Sequence, residues 1–239
     1  MSRALCISLL AWVGTSLSWW FATSSEGGTW LARVWLVGGM ATTWALLFAL
    51  SSDRSVALEM HRPKAGDPTK GIASAMLVGG LLWGALSLGW VRSLVPQFHY
   101  VAATLRLVGI GIAGNEQLAV AGQVLCIVLY ALCFEGIWRG LVILALEDPF
   151  GSRRAEVIAF LLSIVAILPA AFLLSPSGHV IAFGAFWPLV HVIAGGVSVV
   201  LLRVSGRVIP GAIALGMILV LVLSPARQAL TRSDIVSVG

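Results

Sequence analysis

Residues 117–146 read QLAVAGQVLCIVLYALCFEGIWRGLVILAL, and this stretch decides the fold. Its charged residues are Glu135 and Arg139 alone, and it contains no proline. A helix needs about 20 apolar residues to cross the hydrocarbon core of a bilayer, and this run is longer than that. Lipid accepts such a segment only when every backbone amide is hydrogen-bonded within it, as a helix allows. Gln117 to about Leu146 is therefore read as a membrane span, the fourth in chain order.

The rest of the chain repeats the pattern. Of its 239 residues, 59% are hydrophobic and 10% charged, with a mean hydropathy of +0.99. A soluble domain carries about 25% charged residues, so a soluble fold would have too little polar surface. The expected class is all-α: a polytopic transmembrane helical bundle of about seven spans, forming one integral membrane domain over 1–239. Working outward, Ala4 to Ala22 is the first span. It is read as uncleaved, because Ser18-Trp19-Trp20-Phe21 is not the small-residue end of a signal peptide. The second is Thr29 to Ser51 and the third Ile72 to about Val95. The fifth is Ala155 to Leu174, the sixth His179 to Leu202 and the seventh Val208 to Leu223, followed by a polar tail. Residues 98–113 are apolar but short and interrupted by Arg106. They are open to three readings: an eighth span, a re-entrant hairpin or an interfacial helix.

Charge sets the expected orientation. The net charge is +5. Lys and Arg accumulate in cytoplasmic loops, which accounts for the excess without nucleic acid; no basic run with interleaved aromatics is present. The polar stretch Asp53–Lys70 and the turns holding Arg153/Arg154 and Arg203/Arg207 all read as cytoplasmic. Seven spans, with 98–113 not crossing and the N-terminus inside, satisfy all three, while leaving Arg227 and Arg232 outside. The expected location is an integral protein of a bacterial inner membrane. Cys6, Cys126 and Cys133 match no metal or redox spacing and read as packing residues. Trp19, Trp20, Trp30 and Trp90 read as an interfacial belt. Gly38-Gly39, Gly79-Gly80 and Gly195-Gly196 read as close-approach sites between helices. No haem, quinone, zinc or phosphate-binding signature is present, so neither cofactor nor metal is expected.

A charge at the centre of a span costs about 2.5–3.5 kcal/mol on insertion scales. Glu135 and Arg139 are four apart, with Glu on the N-terminal side, the favourable order for an intrahelical pair. Two readings stand: a structural ion pair that fixes helix packing, or an active-site carboxylate held by an arginine.

Phe134-Glu135-Gly136-Ile137-Trp138-Arg139-Gly140 resembles the first motif, E-E-x-x-x-R-G, of the CAAX-protease and bacteriocin-processing family of intramembrane proteases. The turn Arg203-Val204-Ser205-Gly206-Arg207-Val208-Ile209-Pro210 resembles the basic turn before that family's last motif. The likeness covers about 117–222. It implies a helical protease core in which the first Glu and two later histidines activate a water. A carboxylate takes a proton from that water. In this chain the first Glu position is Phe134. Pro169 stands at the first histidine position, with Val165 for the motif's Phe, and Leu215 and Leu219 stand at the positions of the last His and Asn. Such side chains neither accept a proton nor hold a water. The resemblance thus implies a degenerate member that binds membrane lipids and other integral membrane proteins as an accessory subunit of a larger assembly. The alternative is an active endopeptidase with a rearranged site built from Glu135 and His191. His179 is placed at an outer helix end, and His61 and His99 in loops without a pattern.

Overall fold

In lipid an apolar segment has no water to satisfy its amides, and helices follow from that constraint. The computed structural model describes residues 2–24, 28–87, 116–173 and 180–221. Among them every regular element is helical: α1 (Ser2–Ser24), α2 (Gly28–Leu50), α3 (Arg54–His61), α4 (Asp67–Ser87), α5 (Glu116–Glu135), a π-helical turn (Gly136–Val142), α6 (Ile143–Phe150), α7 (Ser152–Leu173) and α8 (Val180–Ser205), then α9 (Ile209–Leu221). Arg3–Ala22, Val124–Phe150 and Pro188–Ser205 are each long and apolar enough to cross a membrane, and Val34–Leu50 and Ile209–Leu221 are shorter apolar helices. Segment 98–113, His99, His179, Trp90, Arg227 and Arg232 lie outside the described residues.

Two polar stretches are more ordered than their composition suggests. The run expected as a loop at Asp53–Lys70 contains all of α3 and the start of α4. The Asp67 carboxylate accepts the Lys64 amide at 2.9 Å and closes the turn that leads into α4, and Pro68 supplies the fixed φ suited to a first helical turn. The turn expected from Glu147 narrows to one residue. Helix α6 continues to Phe150, Gly151 takes a φ of +75° that favours glycine, and its amide returns to the Glu147 carbonyl at 2.8 Å.

Helix directions follow from contacts at identifiable ends. Arg3 donates to the Leu50 carbonyl and Arg54 to that of Ala49 at 2.6 Å, so α1 begins where α2 ends. The two arginines also satisfy final carbonyls of α2 that have no helical partner. At the same end Arg203 of α8 pairs with Glu156 of α7, its Nε 2.7 Å from the carboxylate. Buried Arg207 donates to the Arg62 carbonyl at 3.1 Å and to Glu59 at 2.9 Å, and the Val208 amide donates to the Met60 carbonyl at 3.0 Å. One end of the bundle therefore gathers α3, the starts of α1, α4, α7 and α9, and the ends of α2, α6 and α8. Helix α4 leaves this end and α5 returns toward it.

Small residues let the helices approach. A Cβ on Gly14 would collide with Thr43, and one on Gly39 with Ser18, so α1 and α2 mesh through reciprocal small-residue contacts. The two hydroxyls are satisfied locally, Ser18 by the Gly14 carbonyl at 2.7 Å and Thr43 by that of Gly39 at 2.8 Å. Each glycine pair proves to have one working member. Gly39 faces Ser18, Gly79 faces Leu221 and Gly195 faces Arg139, whereas Cβ atoms on Gly38, Gly80 and Gly196 would meet nothing within 4 Å. Successive helical residues point in different directions, so a neighbour covers only one of two.

Candidate functional site

The interior of the bundle is organised around residues 117–146. On α5 and its extension, Tyr130, Phe134 and Trp138 recur every four residues and form one ladder. Tyr130 and Phe134 have ring centroids 5.5 Å apart, and Phe134 and Trp138 6.5 Å. One residue further round, Glu135 and Arg139 are completely enclosed, at 0% and 1% exposure. The backbone between them changes to a π turn at Gly136, an arrangement rare in helices and frequent at specialised positions.

Arg139 is held from several sides. Its Nε is 3.8 Å from the Glu135 carboxylate, and one terminal nitrogen donates to the Ser163 hydroxyl of α7 at 3.0 Å. Ser163 donates in turn to the Phe160 carbonyl at 2.6 Å. The guanidinium carbon lies 5.6 Å from the centroid of the Phe160 ring, a cation–π distance. Its other flank is Gly195, where a Cβ would fall on the guanidinium. Neither Glu135 oxygen has a hydrogen-bond donor among the described residues. The neighbouring Ser198 hydroxyl is engaged by the Gly211 carbonyl at 3.3 Å. Charge attraction to Arg139 across 3.8 Å balances the carboxylate.

His191 is buried at 3% exposure on the neighbouring side of the ladder. Its Nε2 is hydrogen-bonded to the Tyr130 hydroxyl at 3.1 Å, and the Phe134 ring lies 5.5 Å away, edge to face. The structure does not join His191 to Glu135 by a hydrogen bond, since both carboxylate oxygens lack one. Tyr130→Phe removes the hydroxyl that meets His191, and the expected loss is about 0.5–1.5 kcal/mol of stability. Thermal unfolding of the reconstituted protein measures it.

The positions where the protease resemblance expects chemistry are apolar and, where their side chains are described, enclosed. Phe134 is 2% exposed, Leu215 1% and Leu219 2%, and all belong to the hydrophobic core. Pro169 lies within α7.

Several contributors were not singled out in the sequence. Ser163 and Tyr130 are ordinary residues of apolar helices and become visible only when α5, α7 and α8 are assembled. The four-residue aromatic repeat at 130, 134 and 138 was the available signal for the ladder. His61, expected as a patternless loop residue, instead ends α3 and packs on the π turn. A Cβ on Gly136 would come within 3.0 Å of its Nε2, and one on Gly140 within 2.7 Å of its Cε1. The Trp44 indole N–H can only donate, so Nε2, at 3.3 Å, accepts. The proton is then on Nδ1, which donates to the Ala57 carbonyl at 2.6 Å. Trp19, expected in the interfacial belt, is 1% exposed and its ring packs edge-on to Tyr130 at 5.5 Å, while Trp20 is exposed. Among the described residues no group of three or more His, Cys, Asp or Glu is placed to hold a metal ion.

No family model, no curated protein and no solved structure matches the chain.

Proposed function

We propose that the protein is a non-catalytic, degenerate relative of the CAAX-type intramembrane proteases, serving as a binding or accessory subunit of a larger membrane assembly. The observation that carries this reading is the packing of Phe134. Where the family's water-activating acid would stand, an aromatic ring fills the space between Tyr130, Trp138 and His191. Leu215 and Leu219 add buried apolar surface at the positions of the last motif. A hydrolase needs a basic group within reach of a water, and Phe134, Leu215 and Leu219 offer neither base nor polar partner. Glu135, fully buried beside Arg139, fits the role of a structural ion pair.

The same reading takes seven spans with 98–113 not crossing, a cytoplasmic N-terminus and a bacterial inner membrane. The polar end of the bundle, with Arg54, Arg62, Lys64, Arg153, Arg154, Arg203 and Arg207, supplies the cytoplasmic face in this orientation. Helices α4 and α5 both have their other ends at the opposite face, in keeping with an even number of crossings between them. Its partners are membrane lipids and other integral membrane proteins.

Purification from native membranes in mild detergent tests the proposal. Stoichiometric integral membrane proteins should remain bound through size exclusion. Recovery of the chain alone from cross-linked and uncross-linked membranes contradicts an accessory role.

A further inference from the structure

At the polar end of the bundle, a cavity of about 120 Å³ opens between the start of α1, the end of α2 and the end of α6. A water occupies about 30 Å³ of liquid, so the space suits a small polar group of a few heavy atoms. Its lining is chemically mixed. Ile7, Leu141 and Leu144 contribute apolar surface to it, and Arg3, Asp53 and Asp148 contribute charge.

The charged lining residues are of both signs. Arg3 stands in the first turn of α1, where helix amide groups already present partial positive charge, and a basic side chain there invites an anion. A guanidinium has five N–H donors, and one contact, to the Leu50 carbonyl, is used internally. Asp148 stands near the C-terminus of α6, where partial negative charge favours a cation. Asp53 precedes α3 but makes no side-chain cap. Among the described residues neither carboxylate has an ion pair or side-chain hydrogen bond.

We propose that this cavity binds the headgroup of a phospholipid bearing a primary amine, phosphatidylethanolamine. Its phosphate meets Arg3, its ammonium meets Asp53 and Asp148, and its glycerol end lies toward Ile7, Leu141 and Leu144. The inference requires only that the bundle span a bilayer, which sets this end at headgroup depth; it is independent of any protease ancestry. The charge pattern selects within lipid classes. A primary ammonium has three N–H donors for two carboxylates. The quaternary ammonium of choline has none, and among the described lining residues there is no aromatic cage to recognise it. An anionic glycerol headgroup supplies no cation and faces two carboxylates.

The test uses the full chain in nanodiscs of phosphatidylcholine alone, or with phosphatidylethanolamine or phosphatidylglycerol in equal molar share. Retained lipid is read by native mass spectrometry after mild delipidation, together with the unfolding midpoint. Phosphatidylethanolamine should be retained in preference to both others and should raise the midpoint. Asp53→Asn with Asp148→Asn should lower its relative retention about tenfold, the scale of losing charged hydrogen bonds, and Arg3→Gln should weaken it as well. The midpoint of the Asp53→Asn/Asp148→Asn double variant in phosphatidylcholine alone should match wild type, which separates lost binding from lost folding. Equal retention of choline and ethanolamine lipids overturns the proposal, as does a preference that survives the double substitution. A midpoint raised by soluble phosphoethanolamine but not by the lipid overturns the assignment to a membrane source.

Discussion

Arg139→Ala is expected to destabilise the protein by about 3–5 kcal/mol, the scale of leaving a buried charge without its partner. The substitution removes the charge that pairs with Glu135, 3.8 Å away. It also orphans the Ser163 hydroxyl as an acceptor and empties the space against the Phe160 ring. Removing both charges is a different matter. Replacing a buried ion pair by apolar groups of similar volume is often neutral or stabilising, so Glu135→Met combined with Arg139→Met should recover most of the loss. Unfolding midpoints of the single and double variants in nanodiscs measure the coupling. An Arg139→Ala midpoint equal to wild type contradicts a pair that holds the bundle together.

Gly195→Ala gives the second large effect, and its neighbour supplies the control. An added Cβ at 195 falls on the Arg139 guanidinium and comes 3.1 Å from the Phe160 ring. The end of an arginine ordinarily moves aside at little cost, but this one is fixed by Ser163, by Glu135 and by the ring beneath it. Overpacking of an enclosed site costs about 1–3 kcal/mol. At Gly196 a Cβ meets nothing within 4 Å, and replacing a mid-helix glycine by alanine gains roughly 0.5–1 kcal/mol. The two alanine variants should shift the unfolding midpoint in opposite directions. The same direction for both contradicts the seat assigned to Gly195.

How much of this was written in the sequence depends on the residue. The apolar lengths of 117–146 and 4–22 dictate helices because lipid offers the backbone no other partner, and the structure has helices there. The Glu135–Arg139 pair was visible because charges are scarce in spans and four-residue spacing places them on one face. Its surroundings were not: Ser163, Gly195 and Phe160 join it from α7 and α8, and no local pattern announces a contact made only by tertiary packing. The glycine doublets were legible as close-approach sites, but not which member of each doublet works. His61 was missed for a plainer reason. It sits in the most polar stretch of the chain, where composition argues for a loop, yet Ala57 and the Met60–Val208 backbone contact fold that stretch back onto the bundle. Trp19 was misplaced because position near a span end signals a membrane interface only if the ring faces outward.

Under the proposed function, the buried Glu135–Arg139 pair serves structure rather than hydrolysis. A proteolysis assay in lipid tests it most directly, with wild type and Glu135→Gln presented with prenylated and transmembrane peptide substrates. The account predicts no specific cleavage by either protein. Specific cleavage by wild type that disappears in Glu135→Gln would contradict it.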